Sequence, residues 1–208
     1  KGLDRDAAGL RVDGRAAIEL ARATLLALGC VAALIAALSL AGLGALRGWR
    51  GLSPAAIALT VAASVVNAAF QQLGLQSLGL AARGPSERSL GPSALTLALF
   101  VATHAAVSRA PIYLLNVALF GALTIAMFFG PSRRSYAAPA GFHGGWNAAL
   151  LLVGALPESD AVAAVRWHGR PSLWAGGARD VEGGLAYTLA LVAVGASLAL
   201  ARRARPRQ

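Results

Sequence analysis

The sequence predicts an all-α, polytopic membrane helix bundle of about six spans. Three observations predict it. Apolar residues make up 57% of the 208 positions, whereas charged residues make up 13%, roughly half of what a soluble domain of this size carries. The charges cluster between long uncharged runs. The mean hydropathy is +0.61, and Ala, Leu, Gly and Val dominate, as in closely packed membrane helices.

The elements follow in chain order. Residues 1–22 are polar and basic and are expected to lie at the membrane surface, ahead of a transmembrane domain over 23–201. A chain that starts at Lys1 is expected to have lost an N-terminal segment or to be the core of a longer protein. A span needs ~20 mainly apolar residues. The first candidate, 23–46, carries no charge. The second, 51–82, is also uncharged and long enough that it must tilt, bend or carry an interfacial part. The third, 91–108, contains His104, and the fourth is 110–130. The fifth, 135–156, holds Pro139, His143 and Asn147, and the last is 183–201. Residues 157–182 form the one substantial loop, with four of the nine acids plus Trp167, His168 and Trp174. A basic tail, 202–208, closes the chain. Strands are not expected in the apolar runs, which lack period-two alternation.

The charge balance is +10, and its distribution excludes a nucleic-acid partner, because no basic face or aromatic–basic interleaving exists. Short Arg clusters beside apolar runs suit a membrane lipid surface instead. With six spans both ends share a side. That side collects thirteen of the Lys and Arg residues against six on the other, so both ends are expected to be cytoplasmic in a bacterial plasma membrane. Arg83, Arg88, Arg133 and Arg134 contribute to the larger group. The single cysteine, Cys30, excludes a disulfide framework and a cysteine zinc site, and reads as a small packing residue. No internal repeat is evident, and only the fifth run is interrupted, which argues against a transporter or scaffold built on inverted repeats.

Polar groups inside spans face the bundle interior and mark function more often than chance. The second run supplies Gln71, Gln72 and Gln76, the third His104, and the fifth His143 and Asn147. Gln72 and Gln76, Phe100 and His104, and His143 and Asn147 are each four residues apart, so each pair shares a helix face. His143 sits about eight residues into its run, ~12 Å deep, while His104 lies near the far end of its own run. The two histidines thus enter from opposite sides, and meeting requires tilt or a break at Pro139. A shared polar site of this kind serves metal binding, hydrolysis or proton relay. His168, beside Trp167, reads as a surface residue.

The order and spacing of these residues resemble the CPBP family, the CAAX-type intramembrane metalloproteases or type II CAAX prenyl endopeptidases, also called ABI-domain proteins. That family carries E-E-x-x-x-R, then F-x-x-x-H, then H-x-x-x-N or H-x-x-x-D. Phe100-Val101-Ala102-Thr103-His104 matches the second motif, and His143-Gly144-Gly145-Trp146-Asn147 the third. The intervening run 110–130, the loop 173–185 and the opening Gly2-Leu3-Asp4-Arg5 are also similar to family members, so the resemblance covers most of the chain. It implies an ABI-type helical core, a prenylated or hydrophobic membrane-tethered peptide as partner, and a hydrolytic site. It implies a general-base glutamate and oxyanion stabilisation by the motif asparagine, here Asn147. It also implies a divalent metal such as Zn, for which His104 and His143 would be the ligands.

The first motif departs from the pattern. Where the family has E-E-x-x-x-R, the chain reads Gln71-Gln72-Leu73-Gly74-Leu75-Gln76. An amide can orient a water but cannot deprotonate it, and loss of such a base lowers rate ~10²–10⁴-fold. Replacing both acids and the cation together leaves no unpaired buried charge. Glu19, Glu87, Glu158 and Glu182 lie at run ends or in loops and are not expected to substitute. The sequence therefore predicts a CPBP-type endopeptidase homologue that is catalytically impaired. The alternative is a non-catalytic pseudoprotease that binds membrane-tethered peptides or partners, in an immunity or maturation role.

Overall fold

A computed structural model describes residues 9, 13–49, 53–80, 90–129, 135–153, 163–167, 173–176 and 181–204. At 45–49, 75–80, 90, 92 and 163–167 the backbone alone is described. His168, residues 1–8, Arg83, Arg88, Arg133, Arg134 and the tail beyond Ala204 lie outside the described residues.

Each apolar run folds as a helix. These are α1 (Gly14–Leu40), α2 (Pro54–Leu80), α3 (Leu90–Ala105), α4 (Pro111–Phe128), α5 (Ala137–Leu152) and α6 (Leu185–Arg203). The first helix starts inside the segment expected to be interfacial. Asp13 causes this: its carboxylate accepts the Ala16 N–H at 2.8 Å and caps the first turn. The same helix ends earlier than its apolar run. Gly42 takes φ +72°, and the Gly42 and Leu43 N–H groups close onto the Ser39 and Leu38 carbonyls. That pair of bonds is a Schellman stop, which needs a residue free to adopt the left-handed region.

Beyond that stop the chain forms β1 (Gly44–Trp49), which pairs antiparallel with β2 (Ala163–Trp167), the register running from Gly44↔Trp167 to Trp49↔Ala163. This ribbon corrects two expectations, that 23–46 is one span and that 157–182 is plain loop. It uses the connections α1–α2 and α5–α6, where backbone groups outside the helices need partners. It also ties those two connections at one end of the bundle. The helix directions agree. Gly141 approaches Leu20 and Gly145 approaches Thr24, so α1 and α5 run parallel. Asn116 meets Gly184 while Arg202 reaches the Ala126 carbonyl, so α4 and α6 run parallel.

Four helices, α1, α2, α4 and α6, are long and apolar enough to cross a membrane. At 16 residues each, α3 and α5 are shorter, ~24 Å. The outer faces carry large apolar side chains, with Leu25 67%, Leu59 70% and Phe70 72% exposed. Water would not tolerate so continuous an apolar surface, whereas lipid chains solvate it. This is the surface of a helical membrane protein.

The centre of the bundle is α5, whose residues 139–146 are all buried. Its glycines let neighbouring backbones approach. A Cβ at Gly145 would lie 2.7 Å from the Thr24 carbonyl oxygen, and one at Gly144 would lie 2.7 Å from the Val65 nitrogen. One at Gly141 would collide with the Leu20 carbonyl. Gly141 and Gly145 thus form a G-x-x-x-G face against α1, and Gly144 a second contact against α2. Thr24 Oγ1 donates to the Gly141 carbonyl at 3.1 Å and locks the first of these crossings. Pro139 does not break the helix. It sits in the first turn, where its missing N–H has no intrahelical partner to lose. Cys30 is half-buried and packs against the main core, as expected of a small filler.

Gly144→Val and Gly145→Val are expected to lower the apparent unfolding temperature in detergent, each by the equivalent of about 1–3 kcal/mol, the usual range for overpacking. Gly195→Ala, where no neighbour lies within 4 Å, is expected to leave that temperature unchanged or slightly raised.

Candidate functional site

The packing of α5 sorts its side chains by face. Phe142 and Trp146 join an aromatic cluster, with Phe120 at 5.6 and 5.8 Å and Tyr187 at 5.1 Å from Trp146. His143, Asn147 and Leu151, spaced four apart, line a cavity of about 260 Å³. Gln71 on α2 and His104 on α3 line the same cavity, beside Phe100 and Asn116. Residues from three separate runs therefore converge. Of the other two residues singled out by sequence, Gln72 lies behind His143, and the Gln76 side chain lies outside the described residues.

Each histidine has a defined partner. His104 Nδ1 donates to the Phe100 carbonyl at 2.8 Å. A carbonyl only accepts, so the proton of the neutral ring sits on Nδ1 and Nε2 keeps its lone pair. Thr103 Oγ1 lies 3.3 Å from the same nitrogen while donating to the Phe100 carbonyl at 2.8 Å. His143 is 3% exposed, and its Nδ1 lies 3.1 Å from the amide nitrogen of Gln72, itself 2% exposed. With the amide donating, Nδ1 accepts and the ring proton moves to Nε2. The pair then offers one acceptor nitrogen and one donor N–H. Phe100 lies against both rings, with centroids 4.3 Å from His104 and 5.9 Å from His143, and Phe120 meets His143 edge-on at 5.1 Å. These rings keep the inner wall of the site apolar.

The donor set does not fit a catalytic zinc. Such a site takes three protein ligands, and among the described residues lining the cavity His104 and His143 supply two imidazoles. Among the described residues no group of three His, Cys, Asp or Glu side chains is close enough to hold an ion. Gln71 and Asn147, which line the same cavity, are amides, which bind zinc poorly.

Two residues on the cavity wall were not anticipated by sequence. Asn116, buried on α4, donates to the Glu182 and Gly184 carbonyls at 2.6 and 3.1 Å and accepts from Thr188 Oγ1 at 2.6 Å. A lone Asn in an apolar run was the available signal. Glu182, expected to be a loop acid remote from the site, lines the same cavity and accepts from the Tyr187 hydroxyl at 3.3 Å. It arrives on a single 3-10 turn, Val181–Gly183, that Asn116 holds against the bundle. No sequence spacing links 182 to 104 or 143, so only the tertiary fold reveals it.

No family model, no curated protein and no solved structure matches this chain.

Asn116→Leu removes the donor to the Glu182 carbonyl, whereas the Gly184 carbonyl and the Thr188 hydroxyl keep each other at 3.4 Å. The substitution is expected to destabilise the protein by roughly 1–3 kcal/mol for the bond lost. Hydrogen exchange resolves the effect, with faster exchange at 181–188 and little change along α1.

Proposed function

We propose that this chain is an intramembrane endopeptidase homologue of the CPBP, or CAAX-protease, type, with six membrane spans. Family-style catalysis is impaired in it by the amides at 71, 72 and 76. One observation carries the reading. Gln71, His104, His143 and Asn147, which follow the family's motif order along the chain, surround one cavity inside an apolar bundle. The six helices and the ribbon joining alternate connections support the span count and a shared side for both ends. The Lys and Arg asymmetry makes that side cytoplasmic in a bacterial plasma membrane.

The substrate class follows from the walls. An apolar bundle with a polar floor suits a peptide tethered to the membrane by a prenyl group or by its own hydrophobic residues. Asn147 and the His143 N–H would donate to the carbonyl oxygen as it gains charge. The His104 lone pair and the Gln71 amide would orient a water. Neither Gln71 nor Gln72 can take its proton.

A second reading, a pseudoprotease that holds such peptides without cutting, is favoured by the Gln72–His143 bond. There an amide occupies the position where a carboxylate would be expected to polarise the histidine, so the network is satisfied without charge.

Purified protein in nanodiscs, given a fluorogenic prenylated or hydrophobic peptide, separates these readings. Slow turnover abolished by His143→Ala is the expected result. Gln71→Glu with Gln72→Glu and Gln76→Arg is expected to raise turnover about 10²–10⁴-fold. Binding without cleavage in the wild-type chain, with cleavage gained in the triple variant, would establish the pseudoprotease. Neither binding nor gain would sink the family reading.

A further inference from the structure

We infer that Glu182 is the general base of this cavity, supplied by the turn before α6 in place of the carboxylates absent at 71 and 72; the inference rests on the peptidase reading above. Among the described residues that line the cavity, Glu182 carries the one carboxyl group. It shares that lining with His104, His143 and Asn147, the residues that would orient and polarise a scissile carbonyl.

Its placement is built and not incidental. The Glu182 backbone carbonyl accepts the Asn116 amide at 2.6 Å, and the Tyr187 hydroxyl donates to Oε1 at 3.3 Å. Gly184 passes so close to Trp174 and Gly176 that a Cβ would lie 2.7 Å from the Gly176 nitrogen. The turn is thus fixed on both sides of the acid. The Tyr187 hydroxyl thus holds the carboxylate at the wall of the cavity that Glu182 lines.

The rivals for the role are weaker. Gln71 and Gln72 are amides. His104 has an acceptor nitrogen, but a backbone carbonyl stands behind its other nitrogen, and among the described residues no carboxylate is hydrogen-bonded to the ring to stabilise the imidazolium formed on protonation.

The step balances as follows. A water in the cavity gives one proton to the Glu182 carboxylate as its oxygen bonds to the peptide carbonyl carbon. The carbonyl π pair moves onto oxygen, where Asn147 and the His143 N–H donate. Collapse re-forms the C=O bond and breaks the C–N bond. The leaving nitrogen takes the proton back from Glu182, which returns to carboxylate. The products are a carboxylic acid and an amine.

Turnover of the same fluorogenic peptide by Glu182→Gln, Glu182→Asp and wild type, across pH 5–9, tests this. Glu182→Gln is expected to lower kcat by about 10²-fold or more, with peptide Kd changed less than about threefold. The acidic limb of the wild-type pH–rate profile is expected to vanish from its residual activity. Glu182→Asp is expected to retain intermediate activity with that limb displaced. Asn116 grips the backbone of residue 182, so both variants are expected to keep wild-type hydrogen-exchange protection at 181–188. Should Glu182→Gln lose that protection, the displacement of the limb in Glu182→Asp decides. Wild-type turnover retained by Glu182→Gln would overturn the role of Glu182 and leave the peptidase reading intact. No wild-type turnover at all would also overturn it. The triple variant at 71, 72 and 76 then decides whether the family reading survives.

Discussion

The close backbone contact of α5 with α1 and α2 sets the rest of the structure. In lipid there is little hydrophobic gain from joining two apolar helices, so association depends on how closely they pack. Gly141 and Gly145 bring α5 against Leu20 and Thr24, and Gly144 brings it against Val65. Three glycines within five residues therefore fix the rotation of α5 about its own axis. Once that rotation is set, the helical period determines what the other faces meet. Phe142 and Trp146 turn toward Phe120 and Tyr187, and His143, Asn147 and Leu151 turn toward the cavity. The polar site is thus positioned by residues with no side chain.

The same contact explains why the polar groups come as a neutral set. His143 and Gln72 are both almost fully buried, so a charge on either would need a compensating partner nearby. Among the described residues that line the cavity there is no Lys or Arg. Glutamine at 72 satisfies His143 without adding charge, since an amide can donate or accept according to which tautomer the ring adopts. A carboxylate could only accept, and would hold the ring proton on Nδ1. The residue at 72 therefore governs whether His143 presents a lone pair or an N–H to the cavity.

The helices were legible because uncharged runs of this length have few alternatives in lipid. Their ends were less so. Asp13 and Gly42 set the limits of α1, and both are local signals that a hydropathy reading passes over. The G-x-x-x-G at 141–145 was visible in the sequence, yet it overlaps the His143–Asn147 pattern, and one stretch carries both the packing face and the polar face. Depth along the runs left one point open. Counting residues from run ends brought the two histidines in from opposite sides, to meet by tilt or by a break at Pro139. In the fold α3 stops at Ala105, one residue after His104, and the chain turns into α4 within a few residues. That end of α3 borders the cavity without any break in α5. The ribbon and Glu182 were not legible at all, because each depends on two connections far apart in sequence meeting in space.

Glu182 gives the triple amide substitution a different meaning from simple decay. A carboxylate pair at 71 and 72 would sit within the bundle and depend on a compensating cation, a costly arrangement that fails if any member is lost. A carboxylate on the turn before α6 is half-buried, where water can solvate part of it, and needs no such cation. Its backbone anchor, Asn116, is itself neutral and fully hydrogen-bonded to groups from that turn and from α6. On the proposed reading, the acid is moved to the polar rim while the histidines and Asn147 keep their places inside. The buried part of the site then carries no formal charge, and the group that must change protonation lies where the energetic cost of doing so is least.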